Sequence, residues 1–129
     1  MTDDELLDAA RSAREMAYCP YSEFKVGAAI IDENGNVHVG CNVESASYPE
    51  GTCAETGAIA AMIVAGGQRI ATIAVVGGDA DTNRACTPCG GCRQRIHEFA
   101  DKETRILLRD DNGWRTCSIG ELLPASFHF

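Results

Sequence analysis

Lys25-Val26-Gly27-Ala28-Ala29-Ile30-Ile31-Asp32, then Glu33-Asn34-Gly35-Asn36, then Val37-His38-Val39-Gly40-Cys41 is the stretch that sets the architecture. Lys25 to Asp32 is apolar, with Val26, Ile30 and Ile31, and reads as a strand. Asn34-Gly35 signals a tight turn, and Val37 to Cys41 returns as the paired strand of a hairpin. Beyond the hairpin, helices and strands alternate. Cys53 to Ala65 is Ala-rich and apolar, a buried helix ended by Gly66-Gly67. Ile70 to Val76 is mostly apolar, a strand covered on both faces. Gly77 to Pro88 reads as a loop, and Cys89 to Phe99 as a helix with Ile96 and Phe99 facing the core. Thr104 to Arg109 is a strand, Asp110 to Gly113 a turn, and Trp114 to Cys117 a short strand. Ahead of the hairpin, Thr2 and Glu5 form a capping-box pattern. Leu6, Leu7, Ala10, Ala13 and Ala17 then give a helical apolar stripe to about residue 17. Asn42 to Thr52 is polar and irregular. Ser118 with Glu121 caps a last helical turn before Pro124, and the tail Ala125 to Phe129 carries two aromatics expected at the surface. The expected class is therefore α/β, one mixed sheet with helices on both faces.

The 129 residues show no repeat and no internal linker, so residues 1–129 are expected to form a single domain. A net charge of -8 argues against a nucleic-acid binder, which would need a basic patch. A neutral small molecule remains compatible with it. Met1-Thr2-Asp3-Asp4-Glu5 is acidic and unlike a secretory leader, and no run approaches the roughly 18 apolar residues of a membrane span. Seven cysteines, an odd number, in such a chain suggest a cytoplasmic location and metal or catalytic use rather than disulfides.

Two of the expected helices open on residues that carry chemistry. Cys53-Ala54-Glu55 opens one and Pro88-Cys89-Gly90-Gly91-Cys92 the other. Three thiolates can hold Zn²⁺ and leave its fourth tetrahedral position for water, which separates a catalytic site from a closed structural one. Cys89 and Cys92 stand at i, i+3, on one helix face. Pro88 sits where a missing N–H costs little. Both helix N-termini are expected to favour thiolates at all three cysteines. Zinc with three thiolates stays net negative, and the two helix ends are the first candidates to offset that. Glu55, two residues past a ligand, is placed to shuttle the protons of the water.

Other chemistry fits parts of this pattern. Pro88 to Cys92 alone would serve equally as a thioredoxin-like redox pair. Cys86-x-x-Cys89-x-x-Cys92 has the spacing of part of an iron–sulfur site. Cys53-x-Glu55 at its own helix start favours zinc, because a redox pair needs no such element and an iron–sulfur site needs a fourth thiolate. Cys19, Cys41 and Cys117 read as small buried hydrophobes. A zinc-stabilised domain without catalysis, with Glu55 serving only the helix dipole, is a further alternative.

A Cys-x-Glu followed by Pro-Cys-x-x-Cys is similar to the motif of zinc-dependent nucleobase deaminases. Over nearly its full length the chain closely resembles the small cytidine deaminases of pyrimidine salvage. The resemblance runs through Tyr21-Ser22-x-Phe24-x-Val26-Gly27-Ala28-Ala29, Asn42-Val43-Glu44, Ala46-Ser47-Tyr48, Cys53-Ala54-Glu55, Pro88-Cys89-Gly90-Gly91-Cys92-Arg93-Gln94 and Glu121-Leu122-Leu123-Pro124-Ala125-Ser126-Phe127. It implies a three-layer α/β/α sandwich on a mixed five-stranded sheet, and a homotetramer with sites at subunit interfaces. It implies zinc-dependent hydrolysis of cytidine and 2′-deoxycytidine to the uridines and ammonia. Cys53, Cys89 and Cys92 would be the metal ligands and Glu55 the catalytic acid and base. Asn42 and Glu44 would hold the ribose hydroxyls, Phe24 would pack on the pyrimidine, and backbone at Ala54 would contact the base. Phe127 would reach a neighbouring subunit's site. Spacing alone would make Asn42 a turn residue, Glu44 a solvated charge and Phe24 a core side chain. A site built around hydroxyls would reject free cytosine, whose binding leaves polar groups unpaired.

One position departs from the family. Its members usually carry Arg directly after Cys-Ala-Glu, thought to drain charge from the ligand thiolates, and this chain has Thr56. Arg93 and Arg84 are the candidates to compensate. A residue other than Arg here is also similar to the blasticidin S deaminases, which share the zinc motif but lack the counterparts of Phe24 and Asn42. Both are present, which favours a cytidine-type substrate.

Overall fold

The computed structural model describes residues 1–79 and 83–129. Helices α1 (Asp3–Arg14), α2 (Ala54–Val64), α3 (Gly90–Phe99) and α4 (Ile119–Leu122) accompany strands β1 (Val26–Asp32), β2 (Val37–Cys41), β3 (Ile70–Gly78), β4 (Asn83–Arg84), β5 (Arg105–Asp110) and β6 (Gly113–Cys117). One mixed sheet runs β2-β1-β3-β5-β6, and β4 pairs with the end of β3. The β3–β5 pair is parallel, with Ile73 beside Ile106. The β1–β2, β1–β3 and β5–β6 pairs are antiparallel.

Strand alternation sends side chains to two cores. Ala28, Ile30, Ile73, Val75, Ile106 and Leu108 face α2, α3 and α4 through Ala58, Met62, Ile96 and Ile119. Ala29, Ala74, Val76 and Leu107 face α1 through Leu6 and Ala10. The result is three layers, α/β/α. Both outer layers lie close to the sheet. A Cβ at Gly40 of β2 would collide with the Ala54 carbonyl and the Ala58 nitrogen of α2. That close approach seats the first turn of α2, and so the site, against the sheet.

The first helix is capped as the sequence predicts, with the Glu5 N–H donating to the Thr2 hydroxyl at 3.1 Å. It stops at Arg14, short of residue 17, because Met16 and Ala17 donate to Ala13 and Arg14, three residues back. The helix α2 is buried on one face only; Ile63 and Val64 are 44% and 89% exposed. The segment 77–88 is not all loop: β3 runs on through Gly78, and Arg84 pairs back with Gly77. Residues 80–82 of that expected loop lie outside the described residues. Asp32 closes the hairpin. Its Oδ2 lies 2.7 Å from His38 Nε2, and its Oδ1 accepts the N–H groups of Asn34 and Asn36 at 2.8 and 3.0 Å. Among the described residues, no helix is long and apolar enough to cross a membrane.

Candidate metal centre

Cys53 is the N-cap of α2 and Cys89 the N-cap of α3. Neither side chain caps its own helix, so both sulfurs are free to turn outward. Cys92 lies one turn into α3 and is buried. The three Sγ atoms all lie within 4.8 Å of one another. Zn–S bonds of about 2.3 Å at tetrahedral angles place sulfurs roughly 3.8 Å apart, so a modest contraction would suit the triangle to zinc. A soft donor set of three cysteines also suits that ion.

Backbone pairings fix where the two helices start. Val43 and Thr52 exchange N–H···O bonds of 3.0 and 2.9 Å ahead of Cys53. Ahead of Cys89, the Cys86 N–H donates to the Arg109 carbonyl of β5 at 2.8 Å. Arg93 then clamps this turn, donating to the carbonyls of Pro88 at 2.8 Å and Leu122 at 2.9 Å.

The thiols do not all behave as helix N-termini suggest. Burial raises Cys53, and burial with the charges of Glu55 and Cys53 raises Cys92. Burial would raise Cys89 too, but hydrogen bonds from the Cys92 backbone and from the Cys92 and Cys53 side chains outweigh it, so its thiol is lowered. Crowding three thiols beside a buried carboxylate outweighs the dipoles at two positions of three. Glu55 is 3% exposed. Burial raises its carboxyl, opposed by its own backbone N–H, by a hydrogen bond with Cys92 and by the charge of Arg95.

A cleft of about 440 Å³ opens over this cluster. Phe24, Asn42, Glu44 and Ala54 line it together with Cys53, Cys89 and Glu55. All the expected site residues but Cys92, which is buried beneath, and Phe127 thus meet in one hollow. Asn42 Oδ1 accepts from the Val26 N–H at 2.8 Å, and its Nδ2 donates to the Phe24 carbonyl at 2.9 Å. Glu44 accepts the N–H groups of Tyr21 and Ser22 at 3.0 and 3.1 Å, and the Ser22 hydroxyl. That hydroxyl, and then those N–H groups, hold its carboxyl below the usual range. Both side chains therefore order the cleft wall while keeping lone pairs and one amide N–H for a ligand.

Phe127 stands apart. It is 67% exposed, rests edge-on against Phe129 with centroids 5.4 Å apart, and its carbonyl accepts from Gln94. Cys86 lines the cleft but is not among the clustered ligands, and burial pushes its thiol up to about 12. The Cys86-Cys89-Cys92 iron–sulfur arrangement is thus not formed, since the third partner of Cys89 and Cys92 is Cys53. Neither expected stand-in for an Arg at position 56 is at hand: Arg93 serves the Pro88 turn, and Arg84 lies over the Phe24 ring at 4.9 Å. Ser22, Cys86 and Thr87 also line the cleft; Ser22 and Cys86 fell within stretches read for other reasons, and no local motif marks Thr87. Arg95, whose charge acts on Glu55, was missed too; its i, i+3 spacing from Cys92 was the available signal.

Residues 1–108 match the family described as the cytidine and deoxycytidylate deaminase zinc-binding region. The chain belongs to this family. Among the deaminases it is similar to, the cytidine deaminase of Halalkalibacterium halodurans is 42% identical, over 95% of this chain and 91% of that one. The cytidine deaminase of Sporosarcina psychrophila is 38% identical, over 98% and 92%. The crystal structure of cytidine deaminase from Burkholderia pseudomallei superimposes with a TM-score of 0.88 at 44% identity, covering 98% of this chain and all of that one (100%). The family is zinc-binding, and Cys53, Cys89 and Cys92 form a cluster able to hold a metal ion.

Proposed function

We propose that the chain is a cytidine deaminase, a zinc hydrolase that converts cytidine and 2′-deoxycytidine to uridine and 2′-deoxyuridine with release of ammonia. One observation carries the reading: the three-cysteine cluster and the buried Glu55 sit in the same cleft as Phe24, Asn42 and Glu44. Cys53, Cys89 and Cys92 would hold the metal. Bound there, Zn²⁺ supplies a Lewis acid that makes water a nucleophile near neutral pH.

The chain's own groups do the rest. Glu55 takes a proton from the attacking water and delivers it to ring N3. As the water oxygen bonds to C4, Glu55 carries the second proton to the amine, and the C4–N bond breaks to release ammonia. Phe24 offers an apolar face to the pyrimidine, and backbone at Ala54 orients the base. Asn42 and Glu44 accept and donate to the sugar diol with their remaining capacity. Burial of Glu55 keeps bulk water from competing for its proton.

Pyrimidine salvage in the cytoplasm is the setting that this reaction fits. A homotetramer, with Phe127 from one subunit completing the cleft of another, is the assembly that accounts for an exposed aromatic tail. The reading is tested by ammonia release from zinc-loaded protein given cytidine, 2′-deoxycytidine and free cytosine in parallel. Turnover of both nucleosides but not the base is expected. Zinc bound without turnover of either nucleoside would overturn the substrate and redirect the search to other aminopyrimidines such as blasticidin S.

A further inference from the structure

One thiol in the cleft is left over by the proposed chemistry. Cys86 lines the hollow with Thr87 and Cys89 but stands outside the metal-binding cluster. Its position is fixed from two sides. The Cys86 N–H donates to the Arg109 carbonyl of β5 at 2.8 Å, and its side chain packs against the core shared with α2 and α3. Against it also lies Gly77 of β3. A Cβ built at Gly77 would fall 2.7 Å from Cys86 Cβ, 3.1 Å from Cys86 Sγ and 2.8 Å from Phe24 Cζ. The thiol and the tip of the Phe24 ring therefore meet over a residue that has no side chain. With strand and core packed behind it, an atom added to Cys86 can enter only the cleft.

A pyrimidine seated for deamination turns a definite edge to this wall. In the proposed mechanism C4 faces the three cysteines, and N3 faces Glu55 on the first turn of α2. C5 is the other ring neighbour of C4, so it points away from Glu55. Phe24 takes the ring face, and Asn42 and Glu44 take the sugar. The lining that remains for C5 is the segment ahead of α3, with Val26, the register partner of Gly77, beside it. Within that segment Thr87 is exposed and Cys86 half-buried, so Cys86 is the deeper of the two.

We propose that Cys86 is a specificity-determining residue that borders the C5 edge of the pyrimidine, its small thiol admitting an apolar substituent of one heavy atom, a methyl or a halogen. This rests on the deaminase reading of the same cleft. Cys86, Val26 and Phe24 offer such a group soft apolar contact. The test is kcat/KM, from ammonia release, for cytidine, 5-methylcytidine and 5-ethylcytidine in zinc-loaded wild type, Cys86→Leu and Cys86→Ala. Ratios are taken within each protein, so differences in folded fraction or zinc content cancel. Wild type should use 5-methylcytidine within about 10-fold of cytidine and 5-ethylcytidine at least about 10-fold less well, since one methylene in a close-fitting pocket is worth roughly 10- to 200-fold. Cys86→Leu should lower the ratio of 5-methylcytidine to cytidine by about 10-fold or more, and Cys86→Ala should raise that of 5-ethylcytidine by a similar factor. The Kd of 5-methyluridine relative to uridine, from calorimetry, should rise in Cys86→Leu as well, a readout independent of turnover. If Cys86→Leu does not fold, Cys86→Ala decides alone. Ratios that stay within about 2-fold of wild type, well short of one methylene's worth, would overturn the proposal. So would rejection of 5-methylcytidine by the wild type. Cytidine turnover with unchanged ratios removes Cys86 alone; no turnover of cytidine by the wild type removes the deaminase reading and this proposal with it.

Discussion

The role proposed for Glu55 separates from both folding and metal binding. In that reading its neighbours hold the metal and it moves protons. Glu55→Gln keeps the shape and hydrogen-bonding capacity but cannot accept a proton. It should bind zinc as wild type does and lose about 10²- to 10⁴-fold in kcat, the range ascribed to one acid–base group. Metal analysis beside steady-state rates checks this, and a rate near wild type would remove Glu55 from the mechanism. Glu44 has a double task, because its carboxylate grips the Tyr21–Ser22 turn as well as facing the cleft. Glu44→Ala should therefore lower kcat/KM for both nucleosides by at least about 10-fold, more than one lost sugar contact would. Kinetics on both nucleosides would show it. The Cys-x-Glu and Pro-Cys-x-x-Cys residues could be read from the sequence because ligand spacing is local and its chemistry specific. Asn42 and Glu44 could not be read from spacing, since a polar residue in an irregular segment looks solvated until its partners are seen.

At the level of elements, the hairpin was the easiest part to anticipate. An apolar run, Asn-Gly and a second run leave few alternatives, and β2 has the expected bounds. Errors fell where local pattern and tertiary context compete. Gly77 and Gly78 look like loop because glycine is a poor strand former, yet pairing with β1 and β4 keeps them in the sheet. The apolar sequence of α2 suggests burial all round, but a helix in an outer layer covers only one side. Two predictions belong here. Gly40→Ala should destabilise the protein by about 1–3 kcal/mol, because α2 must move off β2 to admit a methyl. A lower melting temperature would be the readout, and zinc affinity should fall with it as Cys53 shifts. Asp32 carries the second. The hydrogen bond from His38, and then those from Asn36 and Asn34, depress its carboxyl when folded. A depressed folded pKa means stability present above the unfolded value, about 3.9, and lost as pH falls through the folded one. Thermal melts of wild type and Asp32→Asn should therefore differ most above pH 5 and converge as pH drops below about 4. A constant gap down to pH 2 would show that the Asp32 charge plays no part.

For the whole molecule, the question is whether one chain makes one site. The described cleft contains every proposed substrate contact except Phe127, which projects from the far end of the chain with 67% of its surface exposed. Tyr48, Val43 and Tyr21, around the cleft mouth, are also 75%, 48% and 48% exposed. Apolar groups at a mouth and at a tail are what an interface between copies would cover, and singly exposed side chains would not need to cluster so. If Phe127 completes a neighbour's cleft, activity can be rebuilt from two inactive proteins. Phe127→Ala subunits keep Glu55 but cannot complete their neighbours. Glu55→Ala subunits cannot catalyse but still carry Phe127. Unfolded together and refolded as mixed oligomers, they place an intact Glu55 beside an intact Phe127 at a fraction of the sites. The mixture should deaminate cytidine faster than the sum of the two variants refolded apart, with the gain greatest near equal proportions. Activity equal to that sum would mean that Phe127 works within its own chain or not at all, and the shared-site assembly would fall.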